Sequence, residues 1–146
     1  MTAADMDGHA PGAERRAFAA VPASAGAARR FVTELLQLHG APPSVISDYS
    51  LVVSELVTNV IEHSDGSQLE IGLDVADPDW WQLEVAGGPP VAHKQLRAPE
   101  TWSVAGAQEV SGRGLGIVRQ LMDDVAIRTD DGQIIVRCRR QRLSDG

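Results

Sequence analysis

The chain has 146 residues, 43% of them hydrophobic and 23% charged, enough for one globular domain that buries a core without staples. A formal net charge of −7 excludes general affinity for nucleic acid, and the single cysteine, Cys138, excludes an intramolecular disulfide and fits a reducing compartment. There is no apolar run of about 18 residues and no basic-then-apolar leader, so the sequence reads as cytoplasmic, without a membrane span.

Residues 1–14 are small, polar and Gly/Pro-bearing, and read as a disordered arm before a domain over residues 15–142. "RRAFAAVP" is a short first strand. From Ser24 to His39, Phe31, Val32, Leu35, Leu36 and Leu38 recur at helical spacing, and Gly40 followed by prolines ends that helix. "APPSVISDYSLVVSELVTNVIEHS" is a second, longer helix, started by Ser44 or the prolines and stopped by Asp65-Gly66. "QLEIGLDV" alternates Leu69, Ile71, Leu73 and Val75 on one face, and "WWQLEVAG" returns with Trp81, Leu83 and Val85 alternating, a predicted antiparallel hairpin. From Gly87 to Ser111 no periodicity survives. A loop of that length inside a compact domain is usually functional or mobile. "GRGLGIVRQLMDD" then opens a helix from a glycine-rich turn, and "VAIRTDDGQIIVRCRR" closes the chain as a hairpin around Asp131-Gly132. The order predicts an α+β fold: a two-layer sandwich in which helices cover one face of a mixed, mostly antiparallel sheet.

Two stretches carry chemistry. In "SELVTNVIEHS", Glu55, Asn59, Glu62 and His63 fall within about a quarter turn of one another at 100° per residue. Val52, Val53, Leu56, Val57, Val60 and Ile61 fill the adjoining arc, which sets the polar stripe at the edge of a core. A carboxylate there can serve as a general base, and an amide oxygen can ligate Mg²⁺, a hard cation. The same stripe is also what a solvated helix face looks like.

In "SGRGLGIVRQL", Gly112, Gly114 and Gly116 let backbone approach a ligand closely, and the helix behind them offers N–H groups to phosphate. The alternative is a glycine turn chosen for packing. The stretch lacks the ending of a P-loop, and no hydrophobic strand precedes it as in a Rossmann unit.

Taken together and in this order, the two stretches resemble the ATP-binding domain shared by gyrase, the ninety-kilodalton heat-shock chaperone, histidine kinases and mismatch-repair proteins (the GHKL superfamily, Bergerat fold). Within it the chain is most similar to the small anti-sigma-factor serine/threonine kinases of bacteria. "ELVTNVIEHS" looks like the N box, "GRGLGIV" like the second glycine box, and the loop between them like the ATP lid. The resemblance implies Glu55 as general base and Asn59 as the Mg²⁺ ligand, with His63 closing the box near the nucleotide. It also implies that Gly112, Arg113, Gly114, Leu115 and Gly116 cradle the phosphates of ATP. Gly87 and Gly88 stand at the first glycine box.

The implied partners are a sigma factor and an anti-anti-sigma (STAS-like) protein whose serine is phosphorylated. A homodimer is expected, with neither direct nucleic-acid binding nor a membrane. A different class of function, a kinase-inactive module that sequesters a partner, is the alternative.

Two departures from the family pattern fall on the adenine end. The aspartate expected after the hydrophobic strand is replaced in "LEVAGGPP" by Ala86, Gly87 and Gly88, and a supporting threonine in the last hairpin by Ile134. Losing a charge-assisted hydrogen bond of ~1.5–3 kcal/mol weakens binding roughly ten- to a hundredfold. Elsewhere, one of Trp80 and Trp81 should face the core. The tail "RCRRQR" reads as a solvated edge that discourages strand pairing.

Overall fold

The computed structural model describes residues 13–63, 68–88, 110–130 and 132–142. The arm up to residue 12, the Asp65-Gly66 stop and positions 89–109 of the expected lid lie outside them. The element order is β1 (Ala13–Ala19), α1 (Ser24–Leu38), α2 (Pro43–His63), β2 (Gln68–Asp74), β3 (Trp80–Gly87), α3 (Val110–Leu121), β4 (Asp124–Asp130) and β5 (Gln133–Gln141). The five strands form one sheet in the order β1-β2-β3-β5-β4, and every described pairing is antiparallel. The first strand begins at Ala13, earlier than the sequence pattern placed it.

Each helix contributes an apolar stripe. Ala28, Phe31, Val32 and Leu36 of α1 are buried, and Gly40, at φ 80°, then stops the helix. There the Ala41 N–H donates to the Leu36 carbonyl at 2.9 Å and the Gly40 N–H to Gln37 at 3.2 Å, which satisfies the last carbonyls. On α2, Val45, Tyr49, Val52, Val53, Leu56 and Val57 are buried. By length and hydropathy α2 could pass for a membrane span. Its apolar face is instead spent on α1, α3 and the sheet, so it is a core helix.

The sheet's two faces separate cleanly by register. Leu73, Leu83 and Cys138 form one row facing the helices, and Ile71, Val85 and Val136 form the next. The opposite row runs Arg15, Gly72, Glu84, Arg137. Arg15 lies flat across Gly72, where a Cβ would meet its guanidinium at 2.6 Å. It donates to Glu70 at 2.6 and 2.9 Å and reaches Glu84 at 3.7 Å. Arg128 joins Glu84 from the far strand at 3.0 Å. The uncovered face is thus laced with paired charge.

One end of the sheet is tied firmly to the helices. The Tyr49 hydroxyl donates to the Trp81 carbonyl at 2.8 Å, and burial pushes its pKa far above the usual range, so it stays a neutral donor. Burial also pushes the Cys138 thiol well up, which makes it a core residue rather than a nucleophile. Tyr49→Phe is expected to cost about 1–2 kcal/mol, since it strips a donor from a buried carbonyl. Urea denaturation monitored by circular dichroism checks this, and an unchanged midpoint would mean the bond contributes nothing.

The arginine tail is not a solvated edge. Its strand, β5, lies between β3 and β4, so its arginines have neighbours on both sides. Arg137 and Arg139 pair with Asp124 at 3.3 and 3.0 Å, and Arg139 stacks over Trp80 at 4.4 Å. Arg140 donates to Asp48 of α2 and, at 3.1 Å, to the carbonyl of Leu121 that ends α3. Arg142 covers the ring of Trp81 at 3.6 Å and donates to the Asp77 carbonyl at 2.6 Å. Trp81 faces the core, and Trp80 is half-buried beneath Arg139.

Candidate functional site

Connectivity decides where the two motif-bearing helices meet. Tyr49 sits at the level of Trp81. From there α2 rises about 15 Å to Asn59, while β3 advances about 20 Å from Trp81 to Gly87. Asn59 therefore lies at the Val85–Gly87 end of the sheet. Helix α3 ends beside Arg140, at the Trp81 end, and runs about 17 Å back to Val110. Its glycines reach the same end as Asn59. The two motif-bearing stretches converge there.

The contact between them is close. Gly114 packs directly on Glu55: a Cβ added there would collide with Oε2 and lie 3.0 Å from Cδ and 3.7 Å from Cβ of the glutamate. Gly114 is helical, so its glycine is required by this approach and not by a special φ. Leu115 and Val118, on the same helix, are buried in the core and fix its rotation.

The glycine-rich stretch is not a turn preceding the helix. It is inside α3, which already starts at Val110, and Gly112 and Arg113 lie in its first turn. Gly114, Leu115 and Gly116 are buried.

Asn59 is the most informative side chain. It is only 6% exposed, and neither its Oδ1 nor its Nδ2 has a hydrogen-bond partner among the described residues. A buried primary amide left unsatisfied costs about 1–3 kcal/mol, so one is retained where something else engages it. Glu55, one turn earlier, is half-buried, whereas Glu62 is exposed. The stripe thus runs from the core edge outward, as its spacing predicts. His63 is the last residue of α2, and its side chain lies outside the described residues.

At the tip of β3, Gly87 pairs directly across from Ile134 of β5. The two positions that depart from the family pattern are cross-strand neighbours.

A family model, the histidine kinase-like ATPase domain, matches residues 18–140. The chain belongs to this family. No curated protein matches it.

ATPase domains of this kind bind ATP with Mg²⁺, and Asn59 of this histidine kinase-like domain fits the metal. The orphaned Asn59 amide offers an oxygen to a hard cation, and the missing Cβ at Gly114 leaves the Glu55 carboxylate against backbone. Among the described residues no group of three or more His, Cys, Asp or Glu side chains is placed to hold a metal.

Sequence reasoning missed Asp48 and Arg140, which together hold the α3 terminus against α2. A signal existed: Asp48 precedes Glu55 by two helical turns, on the same stripe.

Proposed function

We propose that this domain is an anti-sigma-type regulator that binds a sigma factor and phosphorylates a serine of an anti-anti-sigma antagonist with Mg·ATP. The observation that carries this reading is the buried, unpartnered amide of Asn59 beside Glu55. Bound Mg·ATP would supply the transferable phosphoryl group and charge neutralisation. Asn59 would contribute an oxygen to the cation, and the free first-turn N–H groups of α3, that of Gly112 among them, would hold phosphate oxygens, those of Gly114, Leu115 and Gly116 being spent within the helix. The Glu55 carboxylate would take the proton from the incoming serine hydroxyl, so that its oxygen can attack. His63 would close the site near the nucleotide, and Gly87 and Gly88 would lie under its base.

Mixing the protein with ATP, Mg²⁺ and a serine-bearing antagonist should give a phosphorylated antagonist by mass spectrometry. Glu55→Ala should slow this by about 10²–10⁴-fold, the range for a positioned general base. Transfer at the wild-type rate in that variant would sink the assignment of Glu55.

The Gly87–Ile134 pair favours a second reading, a kinase-inactive module that sequesters its partner. Titration calorimetry with ATP separates the two. Mg²⁺-dependent micromolar binding supports the kinase, and no heat at millimolar ATP supports sequestration alone.

A further inference from the structure

We infer that the groove running along α1 and α2 holds an amphipathic helix of a partner protein, with an Asp or Glu of that helix on Arg29. The inference goes beyond the nucleotide reading and does not depend on it.

The groove is a feature of the helix pair. Arg29, early in α1, meets Ser54, late in α2, and Gln37 near the end of α1 lines the same groove as Pro43 at the start of α2, so the two helices run antiparallel along it. Its volume is about 820 Å³. The α1 wall is Arg29, Thr33 and Gln37, spaced by four and so on one face. The α2 wall is Ser47, Ser50 and Ser54, a stripe about 80–140° around that helix from Glu55. The groove is therefore separate from the Glu55–Asn59 stripe.

Charge selects an acidic occupant. Arg29 is the one charged residue of the nine that line the groove, on a chain whose net charge is −7. It is half-buried, and its Nη1 donates to the Ser54 hydroxyl at 3.1 Å, a neutral acceptor. That hydroxyl donates in turn to the Ser50 carbonyl at 3.0 Å, which fixes the guanidinium against the wall. A guanidinium carries five donors in a fixed fork, and a carboxylate takes two of them side by side.

Length and lining select a helix. From Pro43 to Ser54 the groove follows α2 for about 16 Å, or three turns. A third helix laid there packs its ridges between the two, and serine walls let it come close. Half-buried Ile46 and Leu51, 42% exposed, supply the apolar contacts. A helix also arrives with its backbone already hydrogen-bonded, so the groove need meet only its side chains.

The test is to pan a display library of helix-forming peptides of about 16 residues against the full chain, without nucleotide. Enriched peptides should share an apolar stripe at i, i+3 and i+7 and an Asp or Glu towards one end. Against Arg29→Glu, the same library should enrich Lys or Arg at that position. The best acidic peptide should bind that variant about 10–100-fold more weakly, the worth of one charge-assisted contact. Should Arg29→Glu fail to fold by circular dichroism, Arg29→Gln removes the charge alone, and the acidic preference should vanish. Ser47→Trp, at an exposed rim position, should fill the groove and abolish binding. No enrichment, enrichment without an acidic position, an unchanged acidic preference in a folded Arg29 variant, or full binding by Ser47→Trp would each overturn the inference. With nucleotide left out, all of these outcomes leave the nucleotide reading where it stands.

Discussion

Gly114→Ala is expected to fold and, on the kinase reading proposed above, to lose phosphoryl transfer by about 10²–10⁴-fold, as though the Glu55 carboxylate had been removed. The added methyl collides with the end of the Glu55 side chain and crowds its Cδ at 3.0 Å. Because the obstructed atoms are the far end of a flexible side chain, the glutamate can swing aside and the helices need not part. Alanine also gains up to about 1 kcal/mol over glycine in a helix interior, which offsets the local crowding. The protein is therefore expected to keep its helical circular dichroism and to melt within a few degrees of the wild type. Gly26→Ala is the matched control. It has the same helical propensity gain, but the nearest atoms to its new methyl are arginine nitrogens at 3.6 and 3.7 Å, ordinary contact. Antagonist phosphorylation should be unaffected by Gly26→Ala. Equal activity in both variants would mean that the Glu55–Gly114 contact is packing and nothing more.

Asn59→Ala should raise stability while destroying Mg²⁺-dependent binding. The wild-type amide is buried with both polar atoms unpaired, at a cost of about 1–3 kcal/mol, and asparagine is a poorer helix former than alanine. Truncation removes both penalties and leaves only a small void. A net gain of about 1–2 kcal/mol is expected, or roughly 2–8 °C in melting temperature for a domain of this size. Calorimetry with ATP and Mg²⁺ should lose its metal dependence in the same variant. A residue that weakens the fold and is kept for its ligand is a common trade between stability and activity. A destabilised Asn59→Ala would mean that the amide is satisfied in solution, and Asn59 would then be structural.

Local patterns carried much of this molecule. Alternation in "QLEIGLDV" and "WWQLEVAG" fixed both the hairpin and its buried face, because a period of two leaves little freedom once one side meets a core. Gly40 and Gly132, both at φ 80°, ended α1 and turned the last hairpin where expected. The polar stripe of α2 was legible because helical geometry ties Glu55 to Asn59 without reference to anything else.

What failed was non-local. "RCRRQR" looked like a solvent-facing edge because its charge is visible in sequence, whereas its partners Asp48, Asp77 and Asp124 come from α2, the β2–β3 turn and β4. The glycine-rich stretch looked like a turn because three glycines oppose helix formation. The core packing of Leu115 and Val118 holds it helical regardless. That Gly87 faces Ile134 could not be read from either strand alone, since register belongs to the pair.

The ties at the Trp81 end have a consequence for descent. Tyr49, Arg140 and Arg142 fasten helices, sheet and turn together at the opposite end from Glu55 and Asn59. The scaffold and the chemistry thus sit at separate addresses. Substitutions can accumulate around Gly87 and Ile134, changing what is bound or whether anything is bound, without first passing through an unfolded ancestor. A lineage built this way can exchange one ligand for another while inheriting the same frame.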